Sequence, residues 1–432
     1  MEYGLIGERL GHSYSPQIHR VFGDYDYQLY TMTPEQLRDT LRGRDFKGMN
    51  ITIPYKKDVL PFCDEISETV RAVGSANTLY FRDGKLWAEN TDLPGMLYML
   101  DRAGIALTDK KVVILGSGGT SLTAQAACRV RKAASCTVVS RSGPATYAEL
   151  YARHTDAEII INSTPVGMYP KNLESPVDIS RCPELRGVAD VIYNPAKTAL
   201  LLDAEEAGIP YTGGLWMLAA QAWYAARLFL NADIPEEKIA EAYGAVRREC
   251  LSLALVGMPG SGKSTLGRKC AAALGKRFID LDEEITRRYG PIPDIFRNRG
   301  ENAFRDMESE IVREYGRDSG CVIAAGGGAV LRQENARALR QNAAVVWVRR
   351  ALTDLSTEGR PLSTGPEALK RMEEIRAPLY GACADYVIDN NGTPEEAVKR
   401  IVEGFYEAAD PERTEPEHAG YPGKTPVRSA DL

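Results

Sequence analysis

Residues 257–265 are Gly257-Met258-Pro259-Gly260-Ser261-Gly262-Lys263-Ser264-Thr265, which match every fixed position of the pattern G-x-x-x-x-G-K-[ST]. An apolar run of strand length, 251–256, precedes them, and apolar residues at helical spacing follow. In this context the glycines bring backbone N–H groups to a phosphate, Lys263 reaches the outer phosphates and the Ser264 hydroxyl can bind Mg²⁺. The sequence therefore predicts that a phosphate-binding domain begins near residue 250.

Composition sets limits on the rest of the chain, which at 432 residues is about three domain lengths. A formal net charge of −6 argues against a nucleic-acid partner. The eight cysteines include no C-x-x-C pair, which argues against a structural zinc site or a disulfide framework. Because the N-terminus has no leader pattern and no apolar run reaches membrane-spanning length, we expect a cytoplasmic protein without a membrane partner.

Two serines precede a helix that we predict to begin near Pro16. Ser13 and Ser15 can act as helix caps, or their hydroxyls can hold a bound carboxylate. On this stretch alone the capping interpretation is favoured.

Polar turns follow later in the first hundred residues. A strand predicted from Gly48 to Pro54 leads to Lys56, and the turns 74–78 and 89–92 are interpreted as following strands. An isolated lysine is usually a surface charge. If the turns converge, however, Lys56 and Asp92 form a cation–carboxylate pair that can exchange a proton with an alcohol.

These motifs, in this order, resemble the substrate domain of shikimate dehydrogenase. The resemblance implies that Lys56 and Asp92 are the catalytic pair. It also implies that the substrate carboxylate and hydroxyls are held by Ser13, Ser15, Thr52 and Asn77.

A second glycine loop follows the apolar strand predicted over 110–115. The loop is Gly116-Ser117-Gly118-Gly119-Thr120-Ser121, in which Ser121 replaces the third glycine of the dinucleotide pattern. A strand before it and an alanine-rich helix after it supply the expected context. We therefore expect a pyrophosphate at the helix N-terminus.

The strand predicted over 136–139 ends at Ser140-Arg141-Ser142. An arginine there, in place of Asp or Glu, suits a 2′-phosphate and favours NADP over NAD. The dehydrogenase family has Asn-Arg-Thr at this point with a further arginine shortly after, which this chain lacks before Arg153.

Two further apolar strands, within 159–168 and 189–195, end in polar turns and leave Asn162, Thr164 and Tyr193 as site candidates. A helix is predicted to open at 213–222. By the same resemblance Gly214 and Met217 contact the nicotinamide, while Tyr193 and Gln221 contribute to the substrate site.

Beyond the phosphate loop, residues 278–282 are interpreted as a strand end that places Asp280 and Asp282 on one face. Near a triphosphate, two such carboxylates are candidates for Mg²⁺ binding and for orienting an attacking hydroxyl. Arg305 and Glu308 lie three apart on a predicted helix and, taken alone, indicate a surface ion pair.

A strand over 321–325 then ends at Gly326-Gly327-Gly328, where a ligand can approach the backbone. These motifs together resemble shikimate kinase, including its Arg-Pro-Leu lid motif at Arg360-Pro361-Leu362. The resemblance implies that Asp282 engages the substrate hydroxyl, Asp280 assists Mg²⁺, and Arg360 closes over the phosphates. It assigns the substrate carboxylate to Arg305, Gly327, Gly328 and Arg376.

We predict an α/β fold in which a two-lobed dehydrogenase precedes a P-loop kinase domain with a parallel sheet. The expected units are a substrate lobe at 1–100 completed by helices at about 216–245, a Rossmann-like NADP lobe at 101–215, a kinase domain at 246–408 and a disordered tail at 409–432.

The two resemblances point to consecutive reactions, because the product of a shikimate dehydrogenase is the substrate of a shikimate kinase. We therefore expect a bifunctional enzyme that reduces 3-dehydroshikimate with NADPH and phosphorylates shikimate with ATP and Mg²⁺. Its partners would be these small molecules. A fused dehydrogenase that oxidises quinate with NAD and a non-catalytic ligand-binding regulator remain alternatives, and monomer or homodimer is left open.

Overall fold

The computed structural model describes residues 1–11, 13–141, 143, 145–355 and 365–412. Three predicted features lie outside these residues: Ser142, the Arg360-Pro361-Leu362 motif, and the tail beyond residue 412. The described chain forms an α/β fold with three separate sheets, which confirms the predicted fold class. Among the described residues, no helix is both long enough and apolar enough to cross a bilayer.

The first sheet is mixed, with strand order β2-β1-β3-β5-β6-β4. Its strands are β1 (Tyr3–Gly7), β2 (Tyr27–Thr31), β3 (Gly48–Ile51), β4 (Glu65–Ile66), β5 (Thr78–Arg82) and β6 (Lys85–Glu89). Its helices are α1 (Ser15–Phe22), α2 (Pro34–Gly43), α3 (Glu68–Val73) and α4 (Asp92–Arg102). Local signals set some of these bounds: Thr33 and Gln36 form a capping box at the start of α2.

The second sheet is entirely parallel, with order β8-β7-β9-β10-β11. Its strands are β7 (Lys111–Leu115), β8 (Ser135–Val139), β9 (Ile159–Asn162), β10 (Gly187–Asp190) and β11 (Tyr211–Gly213). Its helices are α5 (Gly119–Val130), α6 (Tyr147–Arg153) and α7 (Ala199–Glu206). Strand order reverses beside β7, and ligands of such sheets bind at that crevice.

Two helices, α8 (Leu215–Leu230) and α9 (Glu237–Cys250), return to the first sheet, where α8 packs on α4 and α9 on α1. The approach of α8 to α4 depends on Gly95, since a Cβ atom there would lie 2.9 Å from the Met217 carbonyl oxygen.

The third sheet is also parallel, with order β13-β14-β12-β15-β16. Its strands are β12 (Ser252–Val256), β13 (Arg277–Asp280), β14 (Cys321–Ala324), β15 (Ala343–Arg349) and β16 (Tyr386–Asp389). Its helices are α10 (Lys263–Leu274), α11 (Leu281–Tyr289), α12 (Ile292–Gly316), α13 (Gln333–Arg340), α14 (Pro366–Cys383) and α15 (Pro394–Ala408). Gly300 breaks α12 with a φ of 81°, which glycine adopts readily.

An ion-pair cluster joins the second and third sheets. Arg340 at the end of α13 pairs with Glu205 of α7, and Glu205 also pairs with Lys197 at 2.8 Å. Beside them Arg337 pairs with Asp203. Burial alone would raise the pKa of Glu205, but the charges of Lys197 and Arg340 outweigh it and lower the pKa to about 2.

We expect Arg340→Ala to destabilise the protein by about 2 kcal/mol near neutral pH, because a half-buried charged hydrogen bond is lost. The folded-state pKa of Glu205 lies below its unfolded value of about 4.3, so its stabilisation is present above that pH and is lost as the pH falls towards about 2. The difference in thermal unfolding midpoint from wild type should therefore shrink on acidification. Lys238→Ala, which removes an exposed pair with Glu241, serves as the control.

Candidate active sites

The first site is built around Lys56 and Asp92. Lys56 lies in the turn after β3, and Asp92 is the first residue of α4. The turns do converge: Lys56 Nζ lies 2.5 Å from Asp92 Oδ2, and the two side chains are only 19% and 12% exposed. An ammonium and a carboxylate held together in this way can pass a proton to or from a bound oxygen.

Asn77 fixes the second carboxylate oxygen of the pair. Its Nδ2 donates to Asp92 Oδ1 at 2.9 Å, and its Oδ1 accepts from the Thr91 backbone N–H at 2.7 Å. Gln221 of α8 approaches from the other side, with its Oε1 3.4 Å from Asn77 Nδ2. The turn that carries Asn77 follows the helix α3, so the interpretation that it follows a strand is wrong.

Ser13 and Ser15 do not cap α1, so the favoured interpretation of this stretch is wrong. The N-cap residue is Tyr14, and no side-chain hydrogen bond caps this helix end. The two serine hydroxyls instead hydrogen-bond each other at 3.1 Å. The strand that we predicted to end at Pro54 ends at Ile51, which places Thr52 at the start of the turn leading to Lys56.

Tyr193 lies just beyond β10 and faces the serine turn. Its ring meets that of Tyr14 edge-on, with centroids 6.0 Å apart. This aromatic contact connects the lobe of the first sheet to the lobe of the second. Tyr193 is 37% exposed, which leaves part of its ring accessible to a ligand.

The loop from Gly116 to Thr120 joins β7 to α5 at the crevice where strand order reverses. Gly116 has a φ of 100°, and a Cβ atom there would lie 3.0 Å from Ser163 Oγ. The N-cap of α5 is Gly118, which has no side chain to occupy the helix N-terminus. The backbone at this end can therefore approach a pyrophosphate.

The residues after β8 are divided between core and surface. Ser140 is buried at 6% exposure, whereas Arg141 is exposed and can reach a ligand phosphate.

Gly214 lies at the start of α8, where any side chain would overlap the Val191 carbonyl group. Met217 is buried in the core beneath it.

Asn162 and Thr164, two of the earlier candidates, are occupied by structural hydrogen bonds. Asn162 Nδ2 donates to Asp190 Oδ2 at 3.0 Å, and its Oδ1 accepts from the Thr164 hydroxyl at 2.7 Å. Burial raises the pKa of Asp190 to about 6. These contacts join the ends of β9 and β10 beneath the predicted cofactor site.

The second site begins at the phosphate loop between β12 and α10. Lys263 Nζ donates to the carbonyl oxygens of Gly257 and Met258, each at 2.9 Å. Gly260 and Gly262 have φ values of 85° and 96°, in the left-handed region that favours glycine. Ser261 is buried inside the loop, while Ser264 and Thr265 are exposed on the first turn of α10.

The sequence analysis missed Asn390, which supports this loop. Its Nδ2 donates to the Ser261 carbonyl oxygen at 2.8 Å across 129 positions of sequence. The available signal was a polar residue directly after a short run of strand-forming residues, which the structure shows as β16, because loops at strand ends often carry function.

Asp280 and Asp282 do not lie on one face of a strand, so that interpretation is wrong. β13 ends at Asp280, whose Oδ1 accepts the backbone N–H groups of Asp282 and Glu283 at 3.1 and 3.3 Å as the N-cap of α11. Asp282 is in the first turn of that helix and is exposed.

The glycine triplet lies very close to charged side chains, and a Cβ atom on two of its residues would clash with them. A Cβ atom on Gly326 would lie 2.8 Å from Asp282 Oδ1, and one on Gly328 would overlap the guanidinium of Arg305. The Gly327 carbonyl oxygen accepts from Arg376 Nη1 at 3.0 Å. The triplet is therefore surrounded by two carboxylates, those of Asp282 and Glu308, and by two arginines.

Arg305 and Glu308 form a buried ion pair, which corrects the interpretation as a surface pair. Arg305 Nη1 lies 2.7 Å from Glu308 Oε2, with side-chain exposures of 9% and 1%. Glu301 holds the opposite edge of the guanidinium at 3.1 Å. Burial raises the pKa of Glu308, and the charge of Arg305 opposes that rise.

We expect Glu308→Ala to destabilise this part of the protein by about 3 kcal/mol, since it removes the buried counter-charge of Arg305. Chemical denaturation followed by circular dichroism measures the change. Glu310→Ala is the matched control, because Glu310 is on the same helix with its side chain 60% exposed. Equal stability of the two variants would contradict a role for the buried pair.

Comparison with known proteins identifies the first half. A family model described as the shikimate dehydrogenase substrate binding domain matches residues 5–79. A shikimate dehydrogenase (NADP(+)) from Caldicellulosiruptor bescii is 38% identical over 249 residues, which are 50% of this chain and 85% of that relative. The chain belongs to the shikimate dehydrogenase family.

Solved structures agree with this assignment. A chorismate mutase/shikimate 5-dehydrogenase fusion protein from Clostridium acetobutylicum is 35% identical with a TM-score of 0.54, and the match covers 57% of this chain and 96% of that one. The shikimate 5-dehydrogenase of Thermus thermophilus in complex with NADP(H) and shikimate is 28% identical with a TM-score of 0.51, covering 57% and 99%.

The part of the chain beyond this shikimate dehydrogenase half matches a second family model, described as shikimate kinase, over residues 259–405. The C-terminal region is therefore a shikimate kinase domain, which confirms the predicted fusion. Both halves are enzyme domains of shikimate metabolism.

Proposed function

We propose that the chain reduces 3-dehydroshikimate to shikimate with NADPH and then phosphorylates shikimate to shikimate 3-phosphate with ATP. The observation that carries the first reaction is the buried contact between Lys56 and Asp92, with Asn77 and Gln221 around it. The convergence of Asp282, Arg305 and Arg376 on the glycine triplet supports the second.

The proposed units follow the three sheets. The substrate lobe comprises 1–100 with helices at about 216–245, the NADP lobe 101–215 and the kinase domain 246–408. The packing of α8 and α9 on α4 and α1 supports the return of the chain to the first lobe. Of the proposed tail 409–432, the described residues include Pro411, whose carbonyl oxygen accepts from Arg102.

In the first site, Ser13 and Ser15 bind the substrate carboxylate, while Thr52, Asn77, Tyr193 and Gln221 orient the ring. NADPH, when bound at the 116–120 loop with its 2′-phosphate near Arg141, supplies the hydride. Lys56 donates a proton to the carbonyl oxygen as it becomes a hydroxyl, and Asp92 holds the lysine in place.

In the second site, Arg305 and Arg376 bind the shikimate carboxylate beside Gly327 and Gly328. Asp282 accepts the proton of the hydroxyl whose oxygen bonds to the γ-phosphorus, and ADP leaves. Lys263 stabilises the phosphate charge, and Arg360, outside the described residues, is proposed to close over it.

Mg²⁺ would be held mainly by ATP oxygens and water, with the Ser264 hydroxyl and Asp280 assisting. The donor set fits this arrangement, because the exposed Ser264 is in the first turn of α10 and Asp280 ends β13, the strand that follows α10 in the chain. Within the described ranges, no three His, Cys, Asp or Glu residues are grouped to bind a metal alone.

A coupled assay tests the proposal directly. Purified chain is given 3-dehydroshikimate, NADPH, ATP and Mg²⁺, and both NADPH oxidation and ADP formation are followed. We expect both signals, and we expect ADP formation to depend on prior reduction. Replacement of NADPH by NADH tests the cofactor, and faster turnover with NADH or with quinate would overturn that part of the proposal.

A further inference from the structure

The kinase site lies at one edge of the kinase sheet, and the dehydrogenase half is attached at the opposite edge. In a parallel sheet all strands end at the same edge, which we call the carboxyl edge. The phosphate loop follows β12 at that edge, Asp282 follows β13, and the glycine triplet follows β14. Everything that we assign to the kinase reaction among the described residues is therefore at the carboxyl edge.

The dehydrogenase half is attached at the other edge, where the strands begin. α9 ends at Cys250 and β12 starts at Ser252, so a single residue separates them. The Lys197 backbone N–H donates to the Gln341 carbonyl oxygen, and the Ala196 N–H donates to Asn342 Oδ1, each at 2.9 Å. Gln341 and Asn342 directly precede β15, so these contacts are at the amino edge.

The substrate end of the dehydrogenase cleft is also on this side. Tyr14, between the two serines proposed to bind the substrate carboxylate, lines the same cavity as Lys197 and Cys250, the last residue of α9. Arg102, at the end of α4, reaches the chain beyond α15 through the Pro411 carbonyl oxygen at 3.4 Å. The serine turn of the first site and the far end of α4 therefore both lie near the kinase half, with the serine turn beside the junction that leads into β12.

A packed sheet separates the two sites. All five residues of β12 are buried, and Leu253, Leu255, Val322 and Val346 belong to one core on one side of the sheet. From Cys250 to Gly257 an extended chain covers about 23 Å. A direct path between the sites would have to cross this core.

The junction also prevents the kinase domain from turning its site towards the dehydrogenase. The helix passes into the strand without a flexible linker. Arg337 and Arg340 tie α13 to α7 through three acidic residues: Asp203, Glu205 and Glu206. A swing that joined the sites would break these partly exposed ion pairs together with the backbone hydrogen bonds of Lys197 and Ala196.

We propose that shikimate leaves the dehydrogenase site into solvent and reaches the kinase site by free diffusion, so that the kinase half also accepts shikimate made elsewhere. This inference rests on the proposed function. The fusion then supplies equal numbers of the two sites and a shared interface, not a protected route.

Isotope dilution on the intact wild-type chain tests this inference. The chain receives radiolabelled 3-dehydroshikimate, NADPH, ATP and Mg²⁺ together with a pool of unlabelled shikimate. We expect the specific radioactivity of shikimate 3-phosphate to fall in proportion to the added pool. Product whose specific radioactivity is unchanged by the pool would show direct transfer and overturn the proposal.

A mixture of two full-length variants provides a second readout. Lys56→Met lacks the first activity and Lys263→Met lacks the second, so every shikimate molecule must pass between chains. At equal concentrations of intact sites, we expect the mixture to match wild type in both the lag and the steady rate of ADP formation. A shorter lag in wild type would contradict free diffusion.

Failure of the proposed function is separable from failure of this inference. Each half of the wild-type chain is first assayed alone, the dehydrogenase with 3-dehydroshikimate and NADPH, and the kinase with shikimate and ATP. Absence of either single reaction refutes the proposed function and the transfer route with it. With both reactions present, the isotope and mixing results decide the route alone.

Discussion

Lys56→Met is expected to lower kcat for NADPH-dependent reduction by roughly 10²- to 10⁴-fold, the range that general acid–base catalysis contributes. Methionine keeps most of the length of the side chain but has no proton to donate and no charge to pair with Asp92. The loss should therefore fall on kcat. Initial rates of NADPH oxidation at saturating 3-dehydroshikimate measure it.

The neighbouring Lys57 offers a matched control, because it is exposed on the same turn. Lys57→Met should keep wild-type rates, and both variants should keep full kinase activity with shikimate and ATP. A Lys56→Met protein that is folded and still reduces its substrate at the wild-type rate would rule out Lys56 as the proton donor.

Lys263→Met is expected to reduce the kinase rate by roughly 10²- to 10³-fold, since a cation aimed at the transferring phosphoryl group is lost. The same substitution also removes the two hydrogen bonds from Nζ to the Gly257 and Met258 carbonyl oxygens. The loop should therefore be less well ordered for ATP. Formation of ADP in the presence of shikimate measures the effect.

Lys269→Met provides the control on the same helix, where Lys269 forms an exposed pair with Glu395. It should phosphorylate shikimate as wild type does. The dehydrogenase activity of Lys263→Met should be unchanged, and loss of both activities in a folded variant would contradict two independent sites.

The sequence analysis was most successful where the chemistry is carried by one continuous segment. The phosphate loop needs glycines, a lysine and a hydroxyl at adjacent positions, and strand and helix signals stand on either side of it. The family of each half followed from several such segments in order. Local backbone requirements of this kind do not depend on distant parts of the chain.

The errors share a different cause. The Arg305–Glu308 spacing is the same for an exposed pair and a buried one, and only the packing of α12 shows that this pair is buried. Asp280 serves as an N-cap because β13 stops at that residue, a boundary that the alternation of apolar residues did not reveal. The capping of α1 was misjudged in the same way.

The contact between Lys56 and Asp92 could be predicted only in part from the polar turns that carry them. From the residues alone, this pair was named only on the condition that the turns converge, because the contact joins residues 36 positions apart and depends on the first sheet being assembled. The position of Asn390 directly after a strand is a local signal, but its contact with the phosphate loop 129 positions away depends on the assembled third sheet.

Residue order alone was enough to establish the two enzyme families, the α/β class and the phosphate loop, because these depend on backbone geometry over a few consecutive residues. The burial of Glu308, the loop support from Asn390 and the attachment of the dehydrogenase half at the edge of the kinase sheet opposite the kinase site emerged only from the folded chain. The reason is physical: burial and distance are properties of long-range packing, which neighbouring residues in the sequence do not specify.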